Sequence, residues 1–166
     1  LMVPVTLADQ VTLEKDPKIK DDHVECNVSD IPTDNRNLAI KAVRALSDFG
    51  IRTDPVRIRI SKNIPAGAGL GGGSSNAAAV LKGLDWLYSL RLSNYKLRII
   101  GQQVGADVPF FFKERACIAT GIGEILRPSH VAPEIWFIIG FPGISIPTSK
   151  VYDSLSTELT NPNARV

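Results

Sequence analysis

Val56, Ile58 and Ile60 alternate with Arg57, Arg59 and Ser61, which places the apolar set on one face of a half-buried strand. That strand runs toward Pro65–Asn76, and beyond it Val80, Leu84 and Leu87 recur at helical spacing, so an ordered helix follows. In Leu92–Gly101, Leu97 and Ile100 space as a second helix. Upstream, Val3–Leu7 and Val11–Glu14 predict short strands joined through Ala8-Asp9-Gln10, and Val24–Val28 predicts a third after the polar turn Pro17–Asp22. Ile31–Arg36 reads as a loop, with Asn35 or Asn37 capping a helix over Leu38–Phe49 that Gly50 stops. Downstream, a turn at Asp107 leads to strands at Ala116–Thr120 and Ile135–Ile139. Strands come first and helices after, with hairpins, which predicts an α+β fold rather than a repeating βαβ array.

The segment Pro65-Ala66-Gly67-Ala68-Gly69-Leu70-Gly71-Gly72-Gly73-Ser74-Ser75-Asn76 holds five of the 13 glycines of the chain. A backbone without side chains can approach an anion closely, and the free N–H groups opening the next helix point at it with the positive end of the helix dipole. Ser74, Ser75 and Asn76 add hydroxyls and an amide that suit phosphate oxygens or a metal ion. A flexible linker is the bland alternative, but linkers do not usually run straight into a good helix. No lysine follows the last glycine, so this is not a P-loop. Gly67-x-Gly69-x-x-Gly72 spells a dinucleotide fingerprint, yet the second strand and its acidic residue, expected roughly 20 residues on, are replaced by the helix of Leu92–Gly101.

Composition narrows little further. At 166 residues with 44% hydrophobic and 22% charged positions, the chain suits one core. A net charge of +2 is too small to argue for nucleic acid, and the 19 Lys and Arg read mainly as solvated faces. No apolar run reaches the roughly 18 residues of a membrane helix, and no signal sequence opens the chain. Cys26 and Cys117 lack metal or redox spacing, which points to a reducing compartment and, by default, a cytosolic address. His23 and His130 sit in polar surroundings and read as exposed loop residues.

The string from Ile64-Pro65 to Asn76 resembles the phosphate-binding motif of the GHMP small-molecule kinases. Three further stretches narrow the likeness: Gly105-Ala106-Asp107-Val108-Pro109-Phe110-Phe111, then Gly121-Ile122-Gly123-Glu124-Ile125-Leu126, then Pro142–Thr148 with Val151-Tyr152. They resemble the branch that uses ATP and Mg2+ to phosphorylate the 2-hydroxyl of 4-diphosphocytidyl-2-C-methyl-D-erythritol, in non-mevalonate isoprenoid synthesis. The likeness runs from about Val3 to Asp153 and is weak before Asn35.

This resemblance implies a GHMP-kinase N-terminal domain, like the second domain of ribosomal protein S5, over residues 1–133, with residues 134–166 opening a second domain. A bacterial cytosol is implied as the setting, or a plastid for a plant or alga. Pro65 through Asn76 would hold the nucleotide phosphates, Asn37 would edge the adenine pocket, Lys62 would help bind the nucleotide, and the Ser75 hydroxyl would meet Mg2+. Asp107 would accept the proton of the attacking hydroxyl. Ile122, Thr148 and Tyr152 would line the cytosine pocket, with Tyr152 stacking on the base.

Without the resemblance, Asp107 is a turn cap ahead of Pro109, Asn37 a helix cap, Lys62 a solvated side chain and Tyr152 a packing residue. The family also carries a Pro-Ala-Lys-x-Asn-Leu segment, whose lysine pairs with the aspartate, and a Gly-Tyr-His; neither occurs here, so the chain is expected to be truncated at both ends. Two other functions stay open: a GHMP kinase for another small alcohol such as homoserine or mevalonate, and an inactive nucleotide-binding module. Ile146-Pro147-Thr148 to Tyr152 suits a cytidine better than an amino acid.

Overall fold

In the computed structural model, which describes residues 1–129 and 135–144, the alternating strand lies at the centre of a three-stranded sheet. This strand is β3 (Val56–Ser61); β1 (Gln10–Lys15) runs antiparallel on one side and β2 (His23–Cys26) parallel on the other. Ile58 stands opposite both Leu13 and Val24, so a row of apolar residues crosses the sheet. On the other face Arg57 binds Asp16 at 2.9 Å and Glu25 at 2.6 Å, while Arg59 reaches Glu14 at 3.0 Å and Glu25 at 3.3 Å. Such pairs near solvent add little stability individually. They matter for register, because a slip of one residue would drive two arginines into the core.

The parallel strands β2 and β3 need a crossover, which α1 (Leu38–Asp48) supplies. Ala39, Ile40, Ala42, Val43 and Leu46 form its buried stripe, and Gly50, at φ +84°, turns the chain away from the helix end. α2 (Gly72–Leu87) buries Ala77, Ala78, Val80, Leu81 and Leu84 against the same core. α3 (Asn94–Val104), capped where the Ser93 hydroxyl accepts the Lys96 N–H at 3.2 Å, packs Leu97 and Ile100 alongside. A short 3-10 turn (Val108–Phe112) leads to a hairpin of β4 (Cys117–Thr120) and β5 (Ile125–Pro128), where Phe110, Cys117 and Leu126 make a second, smaller core.

The α+β class follows, with three departures from the sequence reading. β1 and β2 are not a hairpin, since β3 separates them. Val3–Leu7 is not a strand; only Met2 pairs, exchanging hydrogen bonds of 2.8 and 2.9 Å with Cys117. Ile135–Ile139 is irregular and largely exposed, and the partner of β4 is Ile125–Pro128. That strand has four residues with only Leu126 buried, too short for an alternation to show, whereas the apolar run Ile135–Ile139 imitates a buried strand.

Gly101 lies mid-helix in α3, where a Cβ would stand 2.9 Å from both the Phe112 ring and Val108 Cγ1. Alanine is the better helix former by about 1 kcal/mol, but overpacking costs about 1–3 kcal/mol. Gly101→Ala is therefore expected to lower the stability by about 1 kcal/mol, read from the urea midpoint. A raised midpoint would contradict the packing described.

Candidate functional site

The glycine segment joins β3 to α2 through a turn whose backbone requires glycine. Gly67, Gly69 and Gly71 have φ of 68°, 72° and 67°, in the left-handed region. Gly71 is the N-cap of α2 and offers no side chain, and the helical ladder starts where the Ser75 N–H donates to the Gly71 carbonyl at 2.9 Å. The amides of Gly72, Gly73 and Ser74 therefore have no partner in the helix and carry the positive end of its dipole. Side chains would crowd them: a Cβ on Gly72 would lie 2.9 Å from Lys62 Nζ and 3.1 Å from Ile64, one on Gly73 3.3 Å from Leu38, and one on Gly71 3.1 Å from Phe111. The result is a bare patch of N–H donors suited to an anion.

Two cavities meet at this turn. One, of about 540 Å³, is walled by Pro65–Ser74 together with Asn37, Leu38 and Lys62. The other, of about 660 Å³, is mostly apolar and is walled by Met2–Val5, Leu7, Phe110, Phe111 and Phe137–Ile139, with Ser75 and Asp9. Gly69, Leu70, Gly71, Asn76 and Asp107 border both.

Asp107 sits just before the 3-10 turn with an exposed carboxylate that makes no capping hydrogen bond. The turn is built behind it by buried Val108, Pro109, Phe110 and Phe112, and Gly123 of the β4–β5 turn comes so close that a Cβ there would be 3.4 Å from Oδ1. The carboxylate is thus aimed at the junction of the cavities and is not consumed by local structure.

The other predicted residues separate. Asn37 is the α1 cap: its Oδ1 accepts the Ala39 N–H at 2.9 Å and its Nδ2 donates to the Pro32 carbonyl at 2.7 Å, so both ends of the amide are engaged while the residue lines the smaller cavity. Lys62 is no solvated lysine; its ammonium is buried under the first turn of α2 and paired with Asp9. The Ser75 hydroxyl donates to the Gly72 carbonyl at 3.0 Å and faces the larger cavity, whereas Ser74 borders the smaller one. Ile122 is exposed in the β4–β5 turn and lines neither cavity. Thr148 and Tyr152 lie outside the described residues.

Sequence reasoning missed Asp9, which it passed over as a connector. Its side chain is fully buried, beside a Lys62 side chain only 6% exposed. Oδ1 accepts the N–H groups of Asn63 and Ile64, each at 2.8 Å, and the Asn63 amide donates to the Ala8 carbonyl at 2.9 Å. Burial pushes the Asp9 carboxyl up, but the Lys62 ammonium, the Ile64 and Asn63 amides and Asn76 outweigh it and hold the group below the usual carboxylate range. The partners are 53 residues apart, so no local pattern announces them.

Residues 37–115 match the family model described as GHMP kinases N terminal domain. Over that stretch the chain is similar to a GHMP kinase N-terminal domain. It is 42% identical over 157 residues to the 4-diphosphocytidyl-2-C-methyl-D-erythritol kinase of Alkaliphilus metalliredigens, covering 93% of this chain and 53% of that relative. The protein of the same name from Syntrophotalea carbinolica is 40% identical over 167 residues, covering 100% and 59%. A crystal structure of 4-(cytidine 5'-diphospho)-2C-methyl-D-erythritol kinase shares this fold with a TM-score of 0.74 and 35% identity, over 96% of this chain and 56% of that one. Homoserine kinase from Cytophaga hutchinsonii, at a TM-score of 0.50 and 21% identity over 58% and 31%, shares the fold alone. The chain spans between half and two thirds of the length of these kinases of the cytidine compound.

The Asp9 carboxylate is a stabilising charge whose folded pKa is depressed, so its contribution is complete above the unfolded value of about 4 and is lost as pH falls through the folded one. Asp16 and Glu25, held low by Arg57, Asp34, held at about 2 by Arg36, and Glu114, held low by Lys82, supply a common background. Asp9→Asn is expected to be less stable at pH 7 and to lose less on going to pH 3, measured from urea midpoints at both values. Equal losses in the two proteins would contradict an ionised Asp9.

Proposed function

We propose that this chain binds ATP on the glycine turn and belongs to a kinase that transfers the γ-phosphoryl group to the 2-hydroxyl of 4-diphosphocytidyl-2-C-methyl-D-erythritol, a step of isoprenoid precursor synthesis. The observation that carries this reading is the shared wall: a cavity floored by unpartnered amides and a second, apolar cavity meet where Asp107 presents its carboxylate. Phosphoryl transfer asks mainly for placement and charge, and this junction offers both. The names of the relatives support the choice of acceptor.

In this reading the amides of Gly72, Gly73 and Ser74 hold phosphate oxygens, Lys62 adds positive charge beneath them, and Asn37 and Leu38 border the nucleoside. Asp107 accepts the proton of the 2-hydroxyl as its oxygen bonds to the γ-phosphorus and the bond to the β-phosphate oxygen breaks, releasing ADP. Mg2+ would supply charge neutralisation between the phosphates. The donor set fits an ion held largely by phosphate and water, since among the described residues no three His, Cys, Asp or Glu converge, while the Ser74 and Ser75 hydroxyls stand at the turn. Ile122, Thr148 and Tyr152 remain the proposed contacts of the cytosine, and residues from 134 onward the start of the second domain. An anionic, water-soluble acceptor suits a reaction in the cytosol.

Asp107→Asn is expected to lower cytidine-substrate-dependent ADP release by about 10²–10⁴-fold while ATP affinity by calorimetry stays within about twofold. An unchanged rate would remove Asp107 from the mechanism. Equal turnover of homoserine or mevalonate in the same assay would transfer the acceptor to another small alcohol.

A further inference from the structure

We propose that Asp9 is a positioning residue for the phosphate end of α2, acting by holding the Lys62 ammonium beneath the helix's first turn; this rests on the nucleotide reading of the glycine turn. The geometry is specific. Lys62 Nζ is paired with Asp9 Oδ2 and lies 2.9 Å from where a Cβ on Gly72, the first residue of α2, would stand. The other oxygen of the same carboxylate anchors Asn63 and Ile64, the two residues by which the chain enters Pro65 and the glycine turn. One side chain therefore fixes both the charge and the backbone that leads into the turn. The pair also spans the partition between the chambers, with Asp9 bordering the larger and Lys62 the smaller.

Stability alone does not account for this arrangement, because a buried ion pair seldom outperforms apolar residues of similar size. A cation at a helix N-terminus is, moreover, on the unfavourable end of the dipole. Asp9 offsets that repulsion, and a bound anion would relieve it further. The other cations bordering the cavities differ from Lys62, since Arg36 and Lys82 are exposed, at 77% and 41%, and are paired with Asp34 and Glu114. Deprived of Asp9, the buried Lys62 ammonium lacks its partner, and swinging to water relieves that at the cost of positive charge beside the turn.

Calorimetric titration of ATP and of adenosine into the wild-type chain, Asp9→Asn, Lys62→Met and the double variant tests this, with folding checked by circular dichroism. The ATP Kd is expected to rise about tenfold in each single variant, with no further rise in the double, as for two groups acting as one unit. The adenosine Kd is expected to change less than about twofold, because the pair acts on phosphate oxygens. Unchanged or tighter ATP binding in folded Asp9→Asn overturns the proposal, and so do equal losses for ATP and adenosine, which a merely structural role would give. Should Asp9→Asn not fold, the 15N-labelled Lys62 ammonium of the wild type decides: its resonance should shift with ATP and with inorganic triphosphate but not with adenosine, and indifference to triphosphate overturns the proposal. Wild-type binding of ATP with an unaffected Asp9→Asn removes only Asp9, whereas failure of the wild type to bind ATP removes the nucleotide reading as well.

Discussion

The structure turns on the position of α2, a helix with a dry body and a bare end. Ala77, Val80, Leu81 and Leu84 are wholly buried, and a methyl group on Gly83 would overlap Leu13 of β1, so the helix lies against the sheet with no room to slide or rotate. Interiors packed at that density do not deform continuously. The amides of Gly72, Gly73 and Ser74 are consequently placed by side chains one to three turns away, and the geometry offered to an anion is inherited from the hydrophobic core. This division lets the turn carry glycines at left-handed angles without collapsing, since the order is supplied from the far side.

Charge is distributed on the same principle. The arginines of β3 meet their carboxylates on the wet face of the sheet, where solvent screens them and their main effect is to forbid the wrong register. Asp9 and Lys62 meet in the dry region, where every unit of charge is costly and must be matched by a partner or a hydrogen bond. A single strand thus ends in two electrostatic regimes only three residues apart: Arg59 in the exposed network, Lys62 in the buried pair.

What could be read from the letters was whatever is encoded locally. The alternation of β3, the helical spacing of α1 to α3, the glycine turn and the unusual Gly-Ala-Asp-Val-Pro stretch each occupy a short run of sequence, and each lies where its pattern predicts, with α2 starting inside the glycine segment rather than after it. What was hidden depends on distant pairing. Nothing near β5 advertises a four-residue strand, nothing near Val3–Leu7 says that an extended apolar stretch will wall a chamber instead of joining a sheet, and nothing near Asp9 points to Lys62. Asn37 is a helix cap whose amide is spent on the backbone, whereas Asp107 caps nothing with its side chain and keeps its carboxylate for the cavities.

Among the described residues, the hydrogen bonds that hold the stretch from Val3 to Leu7 fall at its two ends. Met2 is tied to Cys117 at one end; Ala8 and Asp9 are tied to Asn63 and Ile64 at the other. Between these moorings no strand ladder forms, and the side chains serve as lining. A span of this kind behaves like a tent wall pegged at both edges: replacing one apolar residue by a larger or smaller one redraws the chamber without disturbing the sheet, the hairpin or the glycine turn. Substitutions at these few positions would therefore reshape the apolar chamber while the opposite wall, built of the glycine backbone, stays as it is.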